Sequence, residues 1–209
     1  MGQNGTERIL DPKATEPEKE AEMIIEVKLE GIQPGILMHN PINALKREKT
    51  GTRGANIPTK ESEAEASCYW DKGKKELVFP GDNLIASIAQ AGSAWKVGKT
   101  RLSPFLSSCL RTDPGDLSFG TNKYEIFEKR VVIQRNAVLR ARPLLPAWIL
   151  SFRLVVEDEY FPIQKERLFE DLKLIVQEAG GRIGIGDWRP SRKGRFGRFK
   201  ITKWELAEK

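Results

Sequence analysis

The chain has 209 residues and a mass of 23.6 kDa, room for one domain with insertions around a buried core. Thirty-five Lys and Arg against 29 Asp and Glu give a formal charge of +6 and a pI near 9.3, which makes a polyanion the leading partner. No stretch approaches the ~20 apolar residues that cross a bilayer, and the start of the chain lacks the apolar core of a signal peptide, so a cytoplasmic protein with no membrane partner is expected.

The charge is unevenly placed. Residues 1–30 carry four basic and eight acidic groups, whereas 182–209 carry nine basic and three acidic. The first 21 residues, with Pro12 and Pro17 and little apolar content, read as a disordered acidic leader ahead of one folded domain over 22–206. Met23, Ile25, Val27 and Leu29 alternate with Glu26, Lys28 and Glu30, the period of a strand with one buried face. Gly31, Pro34 and Gly35 end it, and about 34–66 shows no sustained period and reads as an inserted loop or finger. Tyr69 to Phe79, with Asp71-Lys72-Gly73-Lys74 at its centre, predicts a hairpin. Pro80-Gly81-Asp82 offers a turn and an N-cap for a helix with Leu84, Ile85, Ile88, Ala89 and Trp95 on one face.

A second insertion is expected over about 98–122, rich in Gly, Pro and Ser. Val131 to Arg142 reads as one long strand and Trp148 to Val156 as another, the two forming an antiparallel pair. Leu168, Leu172, Ile175, Val176 and Ala179 recur at helical spacing after Pro162, and Gly180-Gly181 stops that helix. Phe199 and Ile201 alternate with Lys200 and Thr202 in a last strand. The resulting order of strand, helix, strand, strand, helix, strand is that of an α+β fold, ferredoxin-like or RRM-like, with an antiparallel sheet and two core helices.

Between the last helix and last strand lies a glycine-rich basic stretch, including Gly184, Gly186, Gly194 and Gly197 with Arg182, Arg189, Arg192, Lys193, Arg195 and Arg198. Glycines let a backbone approach a ligand and offer amide donors, and arginines fork onto phosphate oxygens. Trp188, Phe196 and Phe199 would add stacking surfaces for bases. The alternative is a solvated basic turn with its aromatics in the core. Gly184-Ile185-Gly186 followed by Gly194-Arg195-Phe196-Gly197 in this position resembles the carboxy-terminal glycine-rich loop of the RAMP superfamily, the repeat-associated proteins of CRISPR effector complexes. Pro80-Gly81-Asp82 leading into a helix also resembles the segment that opens the first helix in backbone subunits of those complexes, while Ile36 to Pro41 with His39, Arg140-Ala141-Arg142-Pro143 with Trp148, and Gly186-Asp187-Trp188-Arg189-Pro190 look like compact RAMP-like proteins also found in viral and mobile-element genomes. The resemblance implies a domain that grips the backbone of single-stranded RNA or DNA, self-associating along the strand or assembled with other effector subunits.

Other features give narrower expectations. His39 follows the first strand, where RAMP processing endoribonucleases often place a catalytic histidine, so a metal-independent endoribonuclease is the competing reading; a locally bonded turn histidine is the plain one. Gly92 to Thr100 fails as a P-loop, because five residues separate its glycines where that motif has four. Lys46, Arg47, Lys49 and Arg53 make the first insertion basic and are further candidates for nucleic-acid contact, as are Lys96, Lys99 and Arg101. Arg140 and Arg142 share a strand face that suits a nucleic-acid-facing sheet or plain solvent. Asp113 and Asp116 read as an Asp-Pro-Gly-Asp turn. Two cysteines, Cys68 and Cys109, and one histidine supply no structural zinc site, and no metal or other cofactor is expected. A third reading is an interaction protein, of viral type, whose basic surface meets an acidic protein.

Overall fold

The computed structural model describes residues 22–41, 59–71, 73–133 and 136–207. In strand β1 (Met23–Gly31) the alternation does what it predicts: Met23, Ile25, Val27 and Leu29 are buried, and Glu26, Lys28 and Glu30 take the other face. A two-residue strand β2 (Ile36–Leu37) follows, then helix α1 (Lys60–Ala66), started by Thr59, whose Oγ1 accepts from the Ser62 amide at 3.2 Å. Strands β3 (Trp70–Asp71) and β4 (Glu76–Pro80) pair as the expected hairpin. Its turn is held by Asp71 Oδ1, which accepts from the Gly73 and Lys74 amides at 2.7 and 3.1 Å.

Helix α2 (Gly81–Ala91) buries Leu84, Ile85, Ile88 and Ala89, as their spacing requires. It starts at Gly81 behind Pro80, so Asp82 lies in the first turn and does not cap it. Strands β5 (Lys96–Val97) and β6 (Thr100–Arg101) make a small exposed hairpin before α3 (Ser103–Ser108). The chain continues through β7 (Leu110–Asp113), β8 (Asp116–Ser118), β9 (Glu125–Ile133), β10 (Asn136–Leu145) and β11 (Ile149–Val156). Helix α4 (Lys165–Glu178) and strand β12 (Phe199–Leu206) complete it.

The main sheet has the order β12-β1-β11-β7, every neighbour antiparallel. With α2 between β1 and β7, and α4 between β11 and β12, this is the ferredoxin-like arrangement, an α+β fold. Helix α4 packs Leu168, Leu172, Ile175 and Val176 into the same core as Leu29, Leu150 and Leu154, all within 1% of full burial. Truncating such a leucine to alanine typically costs about 2 to 5 kcal/mol. Trp95 Nε1 donates to Glu178 Oε2 at 2.8 Å and ties the segment after α2 to the end of α4.

Three expectations are corrected. The segment 36–66, expected as a loop, holds β2 and α1 within its described residues. The span 98–122 holds β7, which fills the core position that the expectation gave to Val131–Arg142. That long strand is instead the junction of β9 and β10, which pair with each other, and β10 pairs with β2 and not with β11. Apolar residues stand on both sides of Gln134-Arg135-Asn136, with no Gly or Pro between them to mark a turn.

The outer face of the main sheet is charged but balanced. Lys203 pairs with Glu26, Lys200 with Glu30 at 3.1 Å, Arg153 with Asp113, and Arg111 with Glu22 at 2.8 Å. Among the described residues, no helix is long and apolar enough to cross a membrane. Cys68 and Cys109 are free and buried. Burial and the neighbouring Glu65 carboxylate push the Cys68 thiol up to about 12, which leaves very little thiolate at mildly alkaline pH. The native protein is therefore expected to resist a thiol-reactive disulfide reagent at that pH and to release two thiols in concentrated guanidinium; rapid native reaction of Cys68 contradicts this.

Candidate nucleic-acid interface

Helix α4 runs into one π turn (Ala179–Ile183), closed where the Gly184 amide donates to the Ala179 carbonyl at 2.7 Å. From there to β12 the loop is laid onto the body of the protein by its backbone. The Asp187 amide donates to Leu37 O at 2.8 Å, the Gly197 amide to Gly35 O at 2.7 Å, and the Ile185 amide to Gly197 O at 2.9 Å. Further amides are used inside the loop, Gly194 to Arg189 O and Phe196 to Trp188 O. The glycines serve this seating. A Cβ on Gly186 (φ +77) would stand 2.4 Å from Leu37 O, and one on Gly197 (φ +71) would stand 1.7 Å from Ile185 O. Gly184, Gly194 and Gly197 turn their amides to protein carbonyls, so these three do not form the expected cradle of ligand-facing amides, and all four glycines of the stretch are packed closely against protein.

The aromatic residues are corrected too. Phe196 and Phe199 are 4% and 2% exposed, and Phe199 sits edge-on to Trp148 at 6.3 Å. Trp188, held at φ +45, packs against Phe127 of β9 at 5.9 Å, and Lys129 Nζ covers its ring at 4.3 Å. Phe127 also meets Phe196 at 5.1 Å. These rings join the loop to the β9–β10 hairpin and are not laid out as a stacking platform.

Arg142 makes the same junction with charge. Its guanidinium bonds Glu63 Oε1 at 3.1 Å and Asp187 Oδ2 at 3.2 Å, with only 12% of its side chain exposed. Arg140 also reaches Glu63, at 3.3 Å. The two arginines of that strand face are thus committed to carboxylates, not turned to a ligand.

What the loop does present is its outer cations. Arg182, Arg192, Lys193, Arg195 and Arg198 are exposed. Arg182 is paired with Glu178 one turn back in the chain. Among the described residues, no ion pair engages Arg192, Lys193, Arg195 or Arg198, in contrast to the balanced outer sheet face. Lys46, Arg47, Lys49 and Arg53 lie outside the described residues. Lys96, Lys99 and Arg101 are exposed on and beside the β5–β6 hairpin.

Arg189 turns inward and borders a cavity of about 260 Å³ under the loop. Its Nε and Nη1 bond Ser191 Oγ at 3.0 Å and Gly186 O at 3.1 Å, and burial with the nearby Arg192 charge lowers its pKa. Across the cavity stand His39, Tyr69 and Asn83, with Pro41, Phe79 and Ala86 as apolar wall. The Tyr69 hydroxyl donates to His39 O at 3.0 Å and is also hydrogen-bonded with Asn83. His39, expected alone in a turn, is thereby brought beside a tyrosine and an arginine. Tyr69 and Asn83 carried no signal of their own in the sequence. Among the described residues, no group of three His, Cys, Asp or Glu is close enough together to hold a metal ion.

The fold has a counterpart among solved structures. A chain in the cryo-EM structure of the type III-B Cmr-beta bound to cognate target RNA superposes with a TM-score of 0.52 at 9% identity. The match covers 90% of this chain and 61% of that one, so this chain spans less than two thirds of its neighbour. The likeness is one of fold, the fold that the RAMP resemblance implies. No protein-family model and no curated protein matches the chain.

Burial, and next the Arg142 guanidinium, hold the His39 imidazole below its ordinary value of 6.5, partly offset by Asp187. Between the folded pKa and 6.5 the native state binds fewer protons than the unfolded chain, so His39 lowers stability as pH falls through that window. His39 is the one histidine of the chain, so its ring proton resonance is unambiguous. That resonance is expected to titrate below 6.5 in the native protein, and a His39→Gln variant should lose part of the acid sensitivity in the same window. Native titration at or above 6.5 contradicts it.

Proposed function

We propose that this chain is a nucleic-acid-binding subunit that holds single-stranded RNA, in preference to DNA, through the outer cations of the glycine-rich loop. The observation that carries the reading is the set Arg192, Lys193, Arg195 and Arg198, exposed and without ion pairs among the described residues, on a loop fixed by backbone bonds to the segment around β2. Uncompensated guanidinium and ammonium groups on a rigid support suit phosphate oxygens, because little side-chain freedom of the support is lost on binding. The fold shared with a chain of an RNA-bound CRISPR complex supports the same reading. It also supports assembly with further subunits; association of copies along a strand and a cytoplasmic location belong to the same proposal. The domain proposed for this is 22–206, behind the acidic leader of residues 1–21.

A second reading keeps support from one observation. His39, held neutral near pH 7, borders the cavity beneath the loop, and a neutral imidazole there is able to take a 2′-hydroxyl proton. In that reading the protein cuts RNA without a metal, and His39→Ala abolishes cleavage in EDTA while binding persists.

For the binding reading, each neutralised phosphate of a single strand contributes about 0.7 to the slope of log affinity against log salt. Replacing Arg192, Lys193 and Arg195 together by Ala is expected to lower that slope by about 2 and to weaken RNA binding at least tenfold at moderate salt. Unchanged affinity and slope in the triple variant would remove the loop from the interface. Fluorescence anisotropy of a labelled single strand across a salt series reads both quantities.

A further inference from the structure

We infer that the cavity beneath the loop receives one unstacked base of the bound strand, an inference that rests on the loop cations holding that strand's phosphates. The cavity, at about 260 Å³, lies below the ~300 to 1,000 Å³ of clefts that enclose drug-sized ligands, and suits a single heterocycle. Its lining has the two things a base needs. His39, Tyr69 and Arg189, whose side chains are planar groups of the kind that stack on bases, are among its lining residues. His39 and Asn83 offer both donors and acceptors to a base edge, and Phe79 and Ala86 supply an apolar wall.

A phosphate is the less suitable occupant. Asp187 stands in the lining, and its carboxylate would repel an anion even though Arg142 and the Trp188 amide already bond it. Position favours a base as well. Arg189 borders the cavity, Arg192 ends the 3₁₀ turn that follows it (Pro190–Arg192) and Lys193 comes next, so one short stretch of chain carries both the cavity-lining arginine and exposed cations. A strand whose phosphates rest on the outer side has a base within reach of the opening. Single-stranded recognition commonly works this way, with splayed bases bonded along their edges.

The geometry allows a test that leaves the fold intact. Ala86 and Asn83 are exposed positions on α2 that line the cavity, so Ala86→Phe fills it and Asn83→Ala removes an edge partner without touching the core. Two readings are taken on the full chain. The first titrates adenosine, cytidine, uridine and, separately, inorganic phosphate while following the single His39 ring resonance. The second compares binding of a base-bearing single-stranded RNA with an abasic strand of equal length and charge.

The nucleosides are expected to shift the His39 resonance in the parent and not in Ala86→Phe, with no shift from phosphate. The parent should prefer the base-bearing strand by about tenfold more than Ala86→Phe does, and Asn83→Ala should fall between. Equal preference in the parent and Ala86→Phe, or a His39 shift produced by phosphate and not by nucleosides, overturns the inference. If that happens while the triple loop variant still loses salt-dependent binding, the loop reading stands and the cavity assignment falls. A nucleoside shift at His39 in a protein without salt-dependent strand binding leaves the cavity assigned and removes the loop.

Discussion

The arrangement of this molecule turns on one half-buried guanidinium. Arg142 of β10 lies between Glu63 of α1 and Asp187 of the glycine-rich loop, and so ties the inserted hairpin, the first insertion and the loop into one body. A nearly buried ion pair of this kind contributes little net stability when intact, yet removing one partner typically costs about 3 to 5 kcal/mol because a charge is stranded. Its value is positional. Asp187 is held from the side by Arg142 and by its amide donating to Leu37 O, and the loop is seated so closely that a Cβ at Gly186 or Gly197 would clash with backbone.

That rigidity divides the charge of the protein into spent and unspent parts. The outer sheet face, the surface that an RRM-like fold would offer to RNA, is occupied by pairs such as Lys203 with Glu26 and Arg153 with Asp113, and its strands carry no exposed aromatic ring among the described residues. Arg140 and Arg142 are spent on Glu63 and Asp187. Arg192, Lys193, Arg195 and Arg198 are among the cations left without an ion pair in the described residues, and they stand together on the exposed side of the loop. Surface pairs of the first kind contribute at most about 1 kcal/mol each and are screened by salt, so they do not stabilise the sheet greatly; they do make it a poor polyanion site.

Much of this was legible in the order of residues, and the failures have physical causes. The buried faces of β1, α2 and α4 follow from periods of two and 3.6 and their named residues lie in the core, except Trp95, expected on the face of α2, which lies beyond its end at Ala91 and is only half-buried. Strand β7 was invisible because four residues, Leu110 to Asp113, are too few to show a period, and only pairing with β11 makes them a strand. The β9–β10 junction was read through because apolar residues continue on both sides. In the loop, the cations could be located but not sorted: nothing local tells Arg189, which turns inward, from Arg192, which does not. The ligands of Arg142 are equally hidden, since Glu63 and Asp187 lie far from it in the chain. The cavity joins His39, Tyr69, Asn83 and Arg189, four positions far apart in the chain that only the folded protein brings together.

The central claim is that single-stranded nucleic acid lies on the loop and not on the open sheet. The most direct measurement is photocrosslinking of a single-stranded RNA containing 4-thiouridine, followed by mass spectrometry of the attached peptides. The account predicts crosslinks in the segment 182–198 and in the neighbouring residues around His39 and Asn83. Crosslinks concentrated instead on the outer faces of β1, β11 and β12, around Lys28, Ser151 and Lys203, would contradict it.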